Sequence, residues 1–241
     1  MNFSFSIKNW FALSSGLSNQ SDWENWSKNS NHDWNLPLPK LVNLPMMQAR
    51  RMSVQSRLAV EVGMELIKQS QVPDLAVFTS QHGEIDKTYK ILSMLNQNSD
   101  ISPTDFALSV HNTASGLLTI IAKKPIPITS ISAHYDSFQQ GLIEAISVLT
   151  QEDKTVLLID FDGTIPDTYH SYIKSSVPTY AVGYIITRGN EISCQNITQT
   201  TTVPAEKYPQ SLAFLRAYLN KQQRFIVKGN TQDWLWTMNE K

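Results

Sequence analysis

Two kinds of apolar pattern take turns along this chain, and their alternation limits the fold more than any other feature. "DLAVFTSQHGE" and "KTVLLID" each hold a short continuous apolar run, Leu75 to Phe78 and Val156 to Ile159, of the kind a buried strand shows. Between and around them the period lengthens to that of a helix. In "RRMSVQSRLAVEVGMELIKQS", Leu58, Val62 and Leu66 recur on one face, Ser53 or Ser56 can cap the start, and Ala59 with Gly63 makes a small-residue stripe for a close neighbour. "KTYKILSMLNQN" predicts a short helix. "SPTDFALSVHNTASGLLTIIAKK" predicts a turn at Ser102-Pro103 running on into one helix rich in small residues. "PITSISAHYDSFQQGLIEAISVL" reads as a strand, a sharp connection and a helix capped by Ser137, with Phe138, Leu142, Ala145 and Leu149 on its buried face. Strands that alternate with helices in this way require an α/β fold with a mixed sheet, here as a single domain over residues 1–241.

The outer parts fit the same plan. "FSFSIKNWFAL" alternates around Phe3, Phe5 and Ile7 and predicts a first strand. "SNQSDWENWSKNSNHDWNLPLPK" is expected to be an ordered irregular surface flap pinned by Trp23, Trp26 and Trp34. "TYAVGYIITRGN" and "EISCQNITQT" predict a hairpin joined at Gly189-Asn190, and the end is expected to hold a helix with room for a last strand.

With 41% hydrophobic residues the chain can bury a sizeable core. Its net charge of −1 gives no electrostatic case for nucleic acid or an acidic membrane. No apolar run approaches the length of a membrane span, so none is expected. A lone cysteine, Cys194, and a start without a basic-then-apolar segment place the expected location in the cytoplasm.

One motif asks a chemical question. "VLLIDFDGTIPD" resembles the first motif of the haloacid-dehalogenase-like phosphohydrolases, in which Asp160 would attack phosphate and Asp162 would protonate the leaving group. Thr187 and Lys228 can pass for that family's second and third motifs. The later acidic motif that holds magnesium is missing, since only Asp233 stands where a carboxylate pair is needed, and Asp160 comes late in the chain rather than on a first strand.

A second resemblance covers more residues. "TSISAHYDSFQQGLIEA" has the strand, tight turn and helix of a nucleophile elbow. It resembles the active-site segment of the β-ketoacyl synthases, and an ungapped alignment from Ile131 to Ala145 puts the nucleophilic cysteine position on Tyr135. "MMQARRMSVQSRLAVEVG", "AVFTSQHGE", "SPTDFALSVHNTASG", "VLLIDFDGTIP" and "YAVGYIIT" resemble further synthase segments in the same order, from near the start to about residue 190. The details most resemble the β-ketoacyl synthase-like N-terminal domain proteins, chain-length-factor-type partners in bacterial aryl polyene pathways. That resemblance implies a thiolase-like fold, largely its N-terminal half with a truncated second half.

It also implies what the chain lacks. Condensation needs a thiolate activated at a helix N-terminus. A Tyr135 phenol is a poor acyl acceptor, an isolated His134 imidazole would give a labile adduct, and Cys194 lies in the predicted hairpin as a packed thiol. The family's downstream histidines have no counterpart, because no histidine follows His170. The resemblance therefore implies a non-catalytic subunit that forms a heterodimer with an active β-ketoacyl-ACP synthase and meets acyl carrier protein through that complex. Tyr135, His134, Phe106, His111 and Asn112 would line the interface or acyl tunnel, with plain loop hydrogen bonding the competing role for His111 and Asn112. Asp136 and Ser137 are read as a helix cap. No cofactor and no metal are implied. The competing classes are the magnesium phosphohydrolase and a stand-alone binder of acyl carrier protein or acyl thioester.

Overall fold

The computed structural model describes residues 1–29, 31–150, 153–172, 178–200 and 207–239. The chain opens with strand β1 (Asn2–Ser14), as its alternation predicts. The tryptophan-rich segment that follows is not a flap but begins with helix α1 (Gln20–Lys28). A capping box starts it: Asn19 Oδ1 accepts from the Asp22 main-chain N–H at 3.0 Å, and Asp22 accepts in turn from that of Asn19. Its Trp23 and Trp26 are 0% and 2% exposed, so the aromatic residues are core rather than pins on a surface loop.

After a short helix α2 (Met46–Ala49), helix α3 (Val54–Gln69) is capped by Ser53, whose Oγ accepts from the Ser56 N–H at 3.2 Å. Strand β2 (Leu75–Thr79) and helix α4 (Ile85–Asn96) come next. The single helix expected after Ser102 is two: α5 (Pro103–Ala107), capped by Ser102, and α6 (Thr113–Ala122). The break between them is held by the His111 ring, which bonds the Ser80 carbonyl at 3.1 Å.

Strand β3 (Ile128–Ile131), helix α7 (Ser137–Val148) and strand β4 (Thr155–Asp162) then follow, with a 3₁₀ turn at Asp167–Tyr172. Strand β5 (Tyr180–Thr198), helix α8 (Gln210–Leu219) and strands β6 (Arg224–Val227) and β7 (Gln232–Met238) complete the chain.

The strands form one mixed sheet in the order β3-β2-β4-β5-β7-β6, with β1 also on β5. β2 runs parallel to β3 and β4, and the other pairings are antiparallel. The predicted hairpin at Gly189-Asn190 is replaced by one long strand. β5 pairs β4 over its first half, β7 over its second, and β1 along both. Ser6 faces Thr187 and Phe5 faces Ile192, so the backbone register of β1 steps over residues 188–191, which form a bulge. Gly189 serves a close approach there: a Cβ would lie 2.0 Å from Ser6 Oγ.

Helices cover both faces, which explains why the strand runs are apolar without alternation. Val156 and Leu158 of β4 join the core under α1, α7 and α8 with Phe138, Leu142, Phe214 and Trp236. Leu157, Ile159 and Phe161 point to the other core with Leu58, Val62, Leu66 and Leu118 of α3 and α6. The small-residue stripe does what its size suggests: a Cβ on Gly63 would come within 2.9 Å of Leu118.

Candidate functional site

The three parallel strands end on one side of the sheet, and the groups with chemical potential collect there. At the end of β3 the chain turns through Ser132 to Asp136 into α7. His134 adopts a left-handed conformation at φ +54° and is exposed, while Tyr135 is half-buried. Ser137 does not act as the cap. Its Oγ accepts from the Ala133 N–H at 3.0 Å and donates to the His134 carbonyl at 2.7 Å, stapling the turn from within. Asp136 stands at the N-cap position without capping. Its carboxylate accepts from Gln210 Nε2 at 2.8 Å and from the Asn230 N–H at 3.1 Å, tying the elbow to α8 and the turn before β7.

Beside the elbow lies the β2–α4 loop, residues 80–84. Asp162, at the end of β4, holds it with both oxygens. Oδ1 accepts from Ser80 Oγ at 2.6 Å and the His82 N–H at 3.0 Å, and Oδ2 accepts from the Gln81 N–H at 2.9 Å. Gly83 in this loop has φ +53°, and a Cβ would meet the His111 ring at 2.8 Å. Gln55 of α3 donates to the Gly83 carbonyl at 3.2 Å. Glu84 accepts from Ser53 Oγ at 2.9 Å and from Ser56 Oγ, and burial pushes its carboxyl above the ordinary range.

Asp160 sits one pleat further in. Its carboxylate accepts from Thr79 Oγ1 of β2, Tyr180 Oη of β5 at 2.6 Å and Ser211 Oγ of α8. Burial raises both Asp160 and Asp162 to about 6, opposed at Asp160 by three hydroxyl donors and at Asp162 by the Ser80 hydroxyl and two main-chain N–H groups.

This arrangement does not assemble the phosphohydrolase site. Asp160 is 3% exposed and saturated by hydroxyls, so it has no open face for a phosphorus atom. Thr187 lies at the opposite end of the sheet, opposite Thr155, and Lys228 is paired with Asp233 at 2.9 Å. No group of three metal-ligating side chains comes together among the described residues. Cys194 is buried on β5 between Phe3 and Trp236, and burial pushes its thiol pKa far up, so it is a packed thiol with no thiolate character.

Of the residues singled out by sequence, the structure joins His134 and His111 to one loop: His134 Nδ1 meets Gln81 Nε2 at 2.9 Å, and His111 meets the Ser80 carbonyl. Asn112 contributes its carbonyl, which accepts from Ser115 Oγ at 2.9 Å and the Gly116 N–H. Phe106 stands on α5, 64% exposed. Sequence reading missed Gln81 and the clasp made by Asp162. The glycine turn in "SQHGE" marked the loop, but its partner lay on another strand.

A mixed sheet whose parallel strands end in an elbow, with helices on both faces, is the N-terminal half of a thiolase-like fold. The chain belongs to the family described as beta-ketoacyl synthase, N-terminal domain, whose model matches residues 23–237. It is similar to a chain in the complex of a ketosynthase (ApeO) with its chain length factor (ApeC) from Xenorhabdus doucetiae. The identity is 43% and the TM-score 0.91, covering 98% of this chain and 99% of that one. The fold also resembles the ishigamide ketosynthase/chain length factor at 12% identity and TM-score 0.64, covering 83% of this chain and 69% of that one. A third likeness is to a chain in the AntDE:AntF structure of a type II polyketide acyl-carrier protein with its ketosynthase. There the identity is 8% and the TM-score 0.69, covering 99% and 100% of the two chains. Among curated proteins none matches the sequence. No helix among the described residues is long and apolar enough to cross a membrane.

Proposed function

We propose that the chain is a non-catalytic, chain-length-factor-type subunit that pairs with an active β-ketoacyl-ACP synthase and helps bound its acyl tunnel, in an aryl polyene or similar fatty-acid-like pathway. One observation carries this reading: the 43% identity, over nearly the whole of both chains, to a member of a ketosynthase and chain-length-factor complex. The elbow supports it. By the resemblance Tyr135 would stand at the nucleophile position, His134 holds the left-handed turn beside it, and the chain's one cysteine is buried in the core. The surface supports it too. α4 and α5 expose Tyr89, Leu92, Leu95 and Phe106, and β3 is an end strand of the sheet among the described residues. Acyl carrier protein would then be met through the complex.

Co-expression with the synthase of its own pathway tests the reading. The expected result is a one-to-one complex by size-exclusion chromatography with light scattering, weakened by Leu92→Glu together with Phe106→Glu by about tenfold or more in Kd. Condensation by that complex should survive Tyr135→Phe here and vanish when the partner's nucleophilic cysteine is replaced. A well-behaved monomer with no affinity for the synthase would refute the reading.

A further inference from the structure

His134 is the elbow residue in the left-handed region, at φ +54°, and a non-glycine residue there persists only where its surroundings fix it. Those surroundings are specific. Gln81 Nε2 donates to His134 Nδ1 at 2.9 Å. Ser132 Oγ donates to the Gln81 carbonyl at 3.3 Å, and the Gln81 N–H is held by Asp162 Oδ2 at 2.9 Å. Asp162 is 4% exposed and spends its other oxygen on Ser80 and His82 of the same loop. With Nδ1 accepting, the proton of the neutral ring resides on Nε2. His134 itself is exposed, at the surface end of the elbow. Its neighbour His82 adds no charge at neutral pH, because burial keeps its pKa below the ordinary histidine value. An N–H whose ring is oriented by Gln81 is suited to a carbonyl acceptor.

We propose that His134 is a fixed hydrogen-bond donor for a carbonyl oxygen brought to the elbow by the partner synthase, and that Gln81 and Asp162 are its positioning residues. The proposal rests on the partner-subunit reading above. The carbonyl has two sources, the keto or thioester group of the growing acyl chain and the main chain of the partner, and both present the same acceptor.

The test uses the complex, with only this chain carrying ¹⁵N-labelled histidine, read by long-range ¹H–¹⁵N correlation. His134 is expected as the Nε2–H tautomer. Gln81→Glu replaces the donor with an acceptor and should move the proton to Nδ1. His134→Phe should change either the product length distribution or the Kd of the complex, and His134→Gln, which keeps an amide N–H, should restore whichever changes. A changed distribution at unchanged Kd assigns the carbonyl to the acyl chain. A Kd weakened about tenfold with unchanged products assigns it to the partner's main chain. An Nδ1–H tautomer in the wild type would overturn the proposal, as would products and Kd both indifferent to His134→Phe. Failure of the wild-type complex to form would overturn the partner reading first, and this proposal with it.

Discussion

Asp160→Asn probes the buried carboxylates most directly, because the structure sets both the sign and the size of its effect. The Asp160 carboxyl is raised from 3.8 to about 6, chiefly by burial, against three hydroxyl donors that pull it down. A carboxyl with a raised pKa in the folded state holds its proton more tightly there than in the unfolded chain. Its contribution to stability is therefore fully present below about pH 4, falls as pH rises towards 6, and is gone above that. The shift corresponds to about 3 kcal/mol across that window. Asparagine does not titrate, so the variant should gain about that much on the wild type as pH rises from 4 to 6.5. The repulsion from Asp162 is already part of the Asp160 shift, so it adds nothing further to the difference. Taking the difference also cancels His82, whose lowered pKa makes stability rise with pH in the same range. Urea unfolding followed by tryptophan fluorescence, at low protein concentration and stepped pH, measures the profile. A flat difference between pH 4 and 6.5 would show that the three hydroxyls offset burial, and a variant that loses ground as pH rises would show that they outweigh it and make Asp160 a stabilised anion.

Two further outcomes follow from single positions. In Gly141→Ala the new Cβ would lie 2.0 Å from Thr79 Cγ2, and Thr79 cannot swing away without releasing Asp160. Overpacking of roughly 1–3 kcal/mol should exceed the roughly 1 kcal/mol gained in helix propensity, so the midpoint of urea unfolding should fall and not rise. Asn19→Ala removes the capping box of α1 and should cost about 1 kcal/mol, while Asn19→Asp should restore it; equal midpoints for all three proteins would count against the cap.

What sequence reading could reach depended on how far apart the interacting residues lie. The run Val156 to Ile159 was legible because burial on both faces leaves a local mark, and the face of α7 was legible because its period is local too. Gly189-Asn190 misled for the converse reason. A glycine used for a turn and a glycine used to let Ser6 pass look alike until β1 is laid beside β5. The start of α1 carried a readable signal in Asn19 and Asp22, which the surrounding Asn, Ser and Pro composition outweighed. The site divides along the same line. The elbow is contiguous, so His134 and Tyr135 could be picked out from their place between a strand and a helix. Its supports are not: Gln81 reaches His134 across 53 positions, and Asp162 reaches Ser80 across 82. The same distance explains why "DFD" resembled a phosphohydrolase motif. Two carboxylates at the end of a buried strand are a nucleophile and an acid if the neighbouring strands leave them open to phosphate and a metal. Here β2, β5 and α8 send Thr79, Tyr180 and Ser211 to one carboxylate, and the β2–α4 loop folds over the other. The chemistry of the pair is thus decided by residues the motif does not contain, and those residues turn it from a reactive centre into the brace behind the elbow.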